Sequence, residues 1–233
     1  MTPPALRLPP PGFFITGTDT GVGKTLVCCA LLHRFAALGK SVVGMKPVAA
    51  GAARSAGGLI NADVAMLRAA SNVEASLALT NPYCFEPPLA PHLAAELAGV
   101  AIDLTTITGA YARLAAAADM VIVEGVGGFC VPLNRSDDSA GLAQRLGLPV
   151  ILVVGMRLGC LNHALLTAQA IRARRLRLAG WIANRIDPTM AVADENITAL
   201  AERLRAPLLG EIEFTVTPDP LRIAAQLDLS KVA

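Results

Sequence analysis

An apolar run, Phe13 to Thr16, leads straight into Gly17-Thr-Asp-Thr-Gly-Val-Gly-Lys-Thr25, and a segment of helical period opens at Lys24 and stops at Gly39. A strand, a glycine-rich turn and a helix in that order leave few folding options. Glycines let the backbone curl until several N–H groups point inward at phosphate oxygens, and the helix N-terminus adds partial positive charge at the same place. In such a loop Lys24 would neutralise the β- and γ-phosphates of a nucleotide, and the Thr25 hydroxyl would ligate a magnesium ion. The strict spacing of glycine, four residues and Gly-Lys-Thr is missed by one position, because Thr18 takes the place of the first glycine and Gly17 stands one residue early. Nucleotide binding is still the expectation, since the strand before the loop and the helix after it are both in place.

The rest of the chain alternates short apolar runs with longer segments of helical period. That is the signature of an α/β fold, a single domain with a mostly parallel central sheet and helices on both faces. Strands are expected at Phe13–Thr16, Ser41–Lys46, Met120–Glu124, Pro149–Val154, Leu178–Ala183 and Leu208–Ile212. Helices are expected over about Lys24–Leu38, from near Asn61 to Asp63 onward, before Asp119, over Asn162–Arg174 and over Ala191–Leu204. The Ala-, Gly- and Ser-rich stretch after Lys46 and the segment Pro82–Pro91 read as irregular. Pro149–Val154 is continuous and aliphatic, as a central parallel strand must be when both its faces are covered. No linker or repeat divides the chain, so residues 13–233 read as one domain behind a flexible, Pro-rich tail of residues 1–12.

Composition removes several classes of function. With 54% hydrophobic and 16% charged residues the chain is not a disordered or solvating protein. The formal charge of +2 is too small, and the basic residues too scattered, for a nucleic-acid footprint. The one basic cluster, Arg172, Arg174, Arg175 and Arg177, reads as a helix C-terminus favoured by the dipole. The longest stretch without Asp, Glu, Lys or Arg is Leu158 to Ile171, too short to span a bilayer, so no membrane role is expected. Five cysteines without a Cys-x-x-Cys pair, and no secretory leader, suit a reduced cytoplasm. The adjacent Cys28 and Cys29 point different ways on a helix, so no disulfide between them is expected. His33, His92 and His163 lack paired spacing, so no zinc site is expected of them.

The loop reads Gly-Thr-Asp-Thr-x-Val-Gly-Lys-Thr, and further motifs follow in order: Lys46-Pro47-Val48, Asp63, Val123-Glu124-Gly125 with Gly127-Gly128, Leu158 to His163, and Gly180-Trp181-Ile182-Ala183-Asn184. Together, over about residues 13 to 212, they resemble the dethiobiotin synthetases, a family of P-loop NTPases with an altered loop. That resemblance implies a ligase of biotin biosynthesis. ATP, carbon dioxide and 7,8-diaminopelargonate would give dethiobiotin through a carbamate and a carbamic-phosphoric mixed anhydride. Chemistry of this kind needs anionic groups held in line and their charge neutralised.

The resemblance assigns roles to residues. Lys46, Lys24 and Thr20 would serve the reaction, with Lys46 at a strand end holding the carbamate and the transferring phosphoryl group. Thr25, Asp63 and Glu124 would hold Mg2+ as hard oxygen ligands. Nucleotide contacts would come from Gly21, Val22, Gly23, Lys24, Thr25 and Leu26, from Asp63, Glu124, Gly125, Val126 and Gly127, and from Asn184, Arg185, Glu213, Phe214 and Thr215. The Asn184 amide matches the donor and acceptor edge of adenine. Lys46, Ala50, Gly159, Cys160 and Asn162 would meet the substrate, the last three at a helix start donated by the partner subunit of a homodimer. Cys160 itself reads as a packing residue rather than a nucleophile.

Ala50 stands where relatives carry Ser or Thr, Arg185 where some have Asp, and Gly210-Glu211-Ile212-Glu213 where Gly-x-Ile-Pro is usual. Two other readings are a ParA/MinD-like switch ATPase and a cobyrinate-diamide-type amidoligase. The switch ATPases carry a signature lysine where this chain has Asp19, and the amidoligases bring a glutaminase domain, which is not expected here.

Overall fold

The computed structural model describes residues 11–55 and 58–232. In chain order the elements are β1 (Gly12–Gly17), α1 (Lys24–Ala37), β2 (Val42–Met45), β3 (Val48–Ala49), β4 (Ala53–Ser55), β5 (Gly58–Ile60), α2 (Ala62–Ala70), α3 (Leu77–Thr80), β6 (Tyr83–Cys84), α4 (Pro91–Leu97) and α5 (Leu104–Ala117). There follow β7 (Met120–Glu124), α6 (Ser139–Leu146), β8 (Val150–Met156), α7 (Cys160–Ala173), β9 (Leu178–Arg185), α8 (Ala193–Leu204), β10 (Leu208–Ile212), α9 (Pro220–Gln226) and a short 3-10 turn at Leu229–Lys231. The expected tail of residues 1–12 lies outside the described residues up to residue 10, and Gly12 already pairs with Val121.

Six strands form one sheet in the order β10-β9-β8-β1-β7-β2. Every pairing in it is parallel, in keeping with the expected parallel central sheet. Alternation along the strands separates two faces. Phe13, Ile15, Val42, Ile122, Ile151 and Ile182 pack with Leu31, Leu67 and Ile223 from α1, α2 and α9. Phe14, Val43, Val121 and Val123 face the opposite way, against Ile107 and Leu142 of α5 and α6. Trp181, Leu152 and Val154 extend that second face under α7 and α8.

The segments read as irregular hold more structure than expected. β4 and β5 make an antiparallel hairpin, and β3 pairs in parallel with β6 inside the Pro-rich stretch. The Phe85 and Ala52 N–H groups donate to the Ala49 and Phe85 carbonyls. This lacing carries Pro88 to Pro91 over the C-terminal ends of the strands.

Gly180 on β9 shows how tightly the sheet is covered. A Cβ placed there would lie 2.6 Å from Leu209 Cγ, and Leu209 is buried. Gly180→Ala is therefore expected to cost about 1–3 kcal/mol through overpacking. Thermal melting followed by circular dichroism reads it directly, and an unchanged melting temperature would mean that Leu209 has room to move.

Candidate active site

The glycine-rich loop leaves β1 as a continuation of the ladder. Thr18 N–H donates to the Val153 carbonyl at 3.0 Å, and its hydroxyl accepts from Gly155 N–H at 3.4 Å. This accounts for Thr18 in place of a glycine. Gly17 serves packing instead: a Cβ there would meet Val22 Cγ2 at 2.6 Å, so the small residue gives Val22 its buried seat. Gly21 and Gly23 have φ of 76° and 90°, the left-handed region that a non-glycine residue enters only at a cost. Lys24 folds back over the loop, its ammonium donating to the Asp19 carbonyl at 2.9 Å. Burial, and next the charge of Lys46, hold the Lys24 pKa below the usual lysine range.

Lys46 follows β2, and its backbone is held from both sides. Its N–H donates to the Thr80 carbonyl at 2.8 Å, and its carbonyl accepts from Asn81 Nδ2 at 2.6 Å. Asp63 sits in the first turn of α2, where Asn61 caps by accepting from the Asp63 and Val64 N–H groups. Glu124 ends β7 and is 1% exposed. The Lys46 ammonium lies between these two acids, donating to Asp63 Oδ2 at 2.9 Å and to Glu124 Oε1. Thr25 Oγ1 donates to the same Glu124 oxygen at 2.9 Å, while Glu124 Oε2 is buried with no partner among the described residues.

The electrostatics follow from this placement. Burial pulls the Lys46 pKa down, but Glu124 and then Asp63 outweigh it, so the group sits above the usual lysine range and stays an ammonium at neutral pH. Burial pushes Asp63 upward, and Lys46 more than reverses that. Glu124 is pushed up by burial, against the pull of Lys46.

The loop, Lys46, Asp63 and Glu124 line an open cleft of about 830 Å³. A second lobe of about 280 Å³ shares Gly23 and Leu26 with it and is lined further by Asn184, Arg185, Ile186, Ile212 and residues 213–215. Asn184 Nδ2 donates to the Val22 carbonyl at 2.8 Å, bracing the loop from the second lobe. Arg185 gathers Asp194, Glu211 and Glu213 around its guanidinium, at 3.3 Å to Glu211 and 3.4 Å to Glu213. Two lobes joined at the helix N-terminus suit a nucleotide.

An AAA-domain family model matches residues 11–218. The chain is 57% identical over 221 residues to the ATP-dependent dethiobiotin synthetase BioD of Nitrosospira multiformis, covering 95% of this chain and 96% of that one. It is 58% identical over 220 residues to the same enzyme of Aromatoleum aromaticum, covering 94% and 98%. The chain belongs to the dethiobiotin synthetase family. Among solved structures, the MinD cell division protein of Aquifex aeolicus shares the fold at 18% identity and a TM-score of 0.53, over 88% of this chain and 83% of that one.

Most residues marked by the dethiobiotin synthetase resemblance meet at these two lobes. Thr20, Gly21, Gly23, Lys24, Thr25 and Leu26 line the cleft from the loop and α1, and Lys46, Ala50, Asp63, Glu124, Val126 and Gly127 line it from the neighbouring strand ends and α2. Asn184, Arg185, Glu213, Phe214 and Thr215 line the smaller lobe. Val22 and Gly125 face the sheet instead, Val22 as a plug and Gly125 against Phe14 and the Ile15 carbonyl. Gly159, Cys160 and Asn162 lie outside both lobes, at the start of α7. There the Cys160 side chain packs with Leu152 and Val154 in the core, and its N–H is spent on the Arg157 carbonyl. Sequence reasoning missed Met66, Pro88, Leu89, Pro91 and Val131, which wall the cleft. The run of prolines is the signal that the sequence offers for this wall.

Proposed function

We propose that this chain is an ATP- and Mg2+-dependent ligase. In this reading it closes the ureido ring of dethiobiotin from 7,8-diaminopelargonate and carbon dioxide, in the cytoplasm, as a step of biotin biosynthesis. The observation that carries the reading is the Lys46 ammonium set between Asp63 and Glu124, in the same cleft as the phosphate loop. A lysine held as a cation is no proton acceptor. Its use is to hold an anionic carbamate and to neutralise charge on the phosphoryl group as the carbamate oxygen attacks. Lys24 and the loop N–H groups would hold the β- and γ-phosphates in line from the other side.

The donor set also fits Mg2+. Glu124 Oε2 is buried and unpartnered, Thr25 brings a hydroxyl to the same carboxylate, and Asp63 adds a second acid. These three residues would hold the ion, with nucleotide oxygens and water completing its shell, because no group of three or more His, Cys, Asp or Glu among the described residues could hold a metal alone. The bound ion would supply further charge neutralisation at the phosphates. Met66, Pro88, Leu89, Pro91 and Val131 offer an apolar wall to the alkyl chain of diaminopelargonate. Ala50 leaves its backbone as the polar contact at that point. Its carbonyl already accepts from Asn61 Nδ2 at 3.1 Å.

A homodimer completes the reading, with Gly159 and Asn162 facing the partner's cleft. The support is Leu158, 95% exposed beside them. Among the described residues no helix is long and apolar enough to cross a membrane. The expected result with purified protein, ATP, Mg2+, bicarbonate and diaminopelargonate is a cyclic urea detected by mass spectrometry. ATP hydrolysis without that product, stimulated by DNA or lipid, would overturn the reading in favour of a switch ATPase.

A further inference from the structure

Glu124 and Asp63 come from different elements, β7 and α2, yet one ammonium bridges them. Two carboxylates converging in a mostly buried place need positive charge, since an uncompensated buried acid is strongly unfavourable. Lys24 contributes only at a distance, because its ammonium is held at the Asp19 carbonyl. Lys46 supplies it incompletely. The ammonium and the Thr25 hydroxyl both engage Glu124 Oε1, which leaves Oε2 buried with no partner among the described residues. A divalent ion with six or more oxygen ligands would use both carboxylates more fully than the lysine does.

We propose that Lys46 is the resident counter-ion of the metal site, holding Asp63 and Glu124 until a metal–nucleotide complex takes over those carboxylates and frees the lysine for the cleft. This deepens the ligase reading and rests on it. The ammonium and a divalent cation cannot share Asp63 Oδ2 and Glu124 Oε1 at contact distance without strong repulsion, so one of them must withdraw. Lys46 is the one able to move, as a point charge on a flexible four-carbon stem. Asp63, its outer partner, is 41% exposed and opens onto the cleft. The arrangement couples two events: Lys46 becomes available to an anionic substrate group only after the metal and nucleotide have arrived. The lysine that handles the carbamate is thus withheld from it in the nucleotide-free protein.

The test reads metal binding without turnover. Free Mn2+ is titrated against wild-type protein and Lys46→Gln by electron paramagnetic resonance, with no nucleotide present. Removal of the competing ammonium is expected to tighten Mn2+ binding by about tenfold or more. Equal affinity in a variant that keeps the wild-type melting curve overturns the inference. A second measurement needs only the wild-type protein: trace acetylation of Lys46, read by peptide mass spectrometry, is expected to rise several-fold with Mg2+ and ADP together. ADP leaves the γ-phosphate position unshielded, and ADP without Mg2+ is expected to change little. Labelling that ignores Mg2+ overturns the inference, whether or not Lys46→Gln folds. Formation of the cyclic urea by the wild-type protein is a separate readout, so failure here leaves the ligase reading standing, and the reverse is equally visible.

Discussion

Lys46→Gln is expected to slow dethiobiotin formation by about a thousandfold or more while the affinity for ATP, measured without a divalent metal, stays within a few-fold of wild type. Glutamine keeps the length of the side chain and donors for hydrogen bonds, but it removes the positive charge on which both the carbamate and the phosphoryl group would depend. ATP affinity is largely spared because Lys46 is outside the glycine-rich loop, whose own lysine is oriented by Asp19 rather than by Lys46. Product is measured by mass spectrometry and nucleotide binding by calorimetry. Near-normal turnover would sink the role given to Lys46, and loss of both quantities together would point to a collapsed cleft.

The second large effect is expected at Gly23, the cap residue of α1 and a wall of both lobes. A Cβ at Gly23 would lie 2.3 Å from Asn184 Nδ2, and the residue holds φ at 90°. Gly23→Ala must therefore displace the Asn184 amide from the Val22 carbonyl and accept left-handed backbone as well. The substituted loop is expected to relax when free and to be forced back into this shape on binding, so roughly 1–2 kcal/mol for the backbone and about 1 kcal/mol for the hydrogen bond amount to a loss of about 30- to 150-fold in nucleotide affinity. Calorimetric titration with ATP reads this, and unchanged affinity would mean that the smaller lobe and the glycine-rich loop are not linked through Asn184.

Much of the sheet was legible because its signals are local. Met120–Glu124 and Leu208–Ile212 occupy the bounds expected from their apolar runs, and α1 starts at the expected Lys24. The small elements were not legible. α3 has four residues, β3 and β6 two each, and none is long enough to show a period. α6 and α9 were missed although Asp138 and Asp219 cap them, Pro220 opens α9 and Gly147 closes α6; each signal is short and lies next to loop-like sequence. In the candidate site, residue types could be read but not their contacts. Lys46 and Glu124 are 78 positions apart, and only the β2–β7 pairing, with Met45 beside Val123, brings their strand ends together. The same limit explains Val22 and Gly125, whose backbone neighbours line the cleft while they face the sheet.

The order of the strands bears on when the nucleotide pocket can form during synthesis. β1 carries the glycine-rich loop, yet its partners are β7 and β8, through Gly12 with Val121 and Phe14 with Val150. Until those distant segments leave the ribosome, the loop has no ladder to extend and Thr18 has no Val153 carbonyl to reach. Pairings of such sequence separation are slow to close and leave apolar edges uncovered in the meantime. The residues that come first in the chain are thus among the last to become competent, and a nascent chain halted before β8 would carry the whole loop without a pocket to place it in.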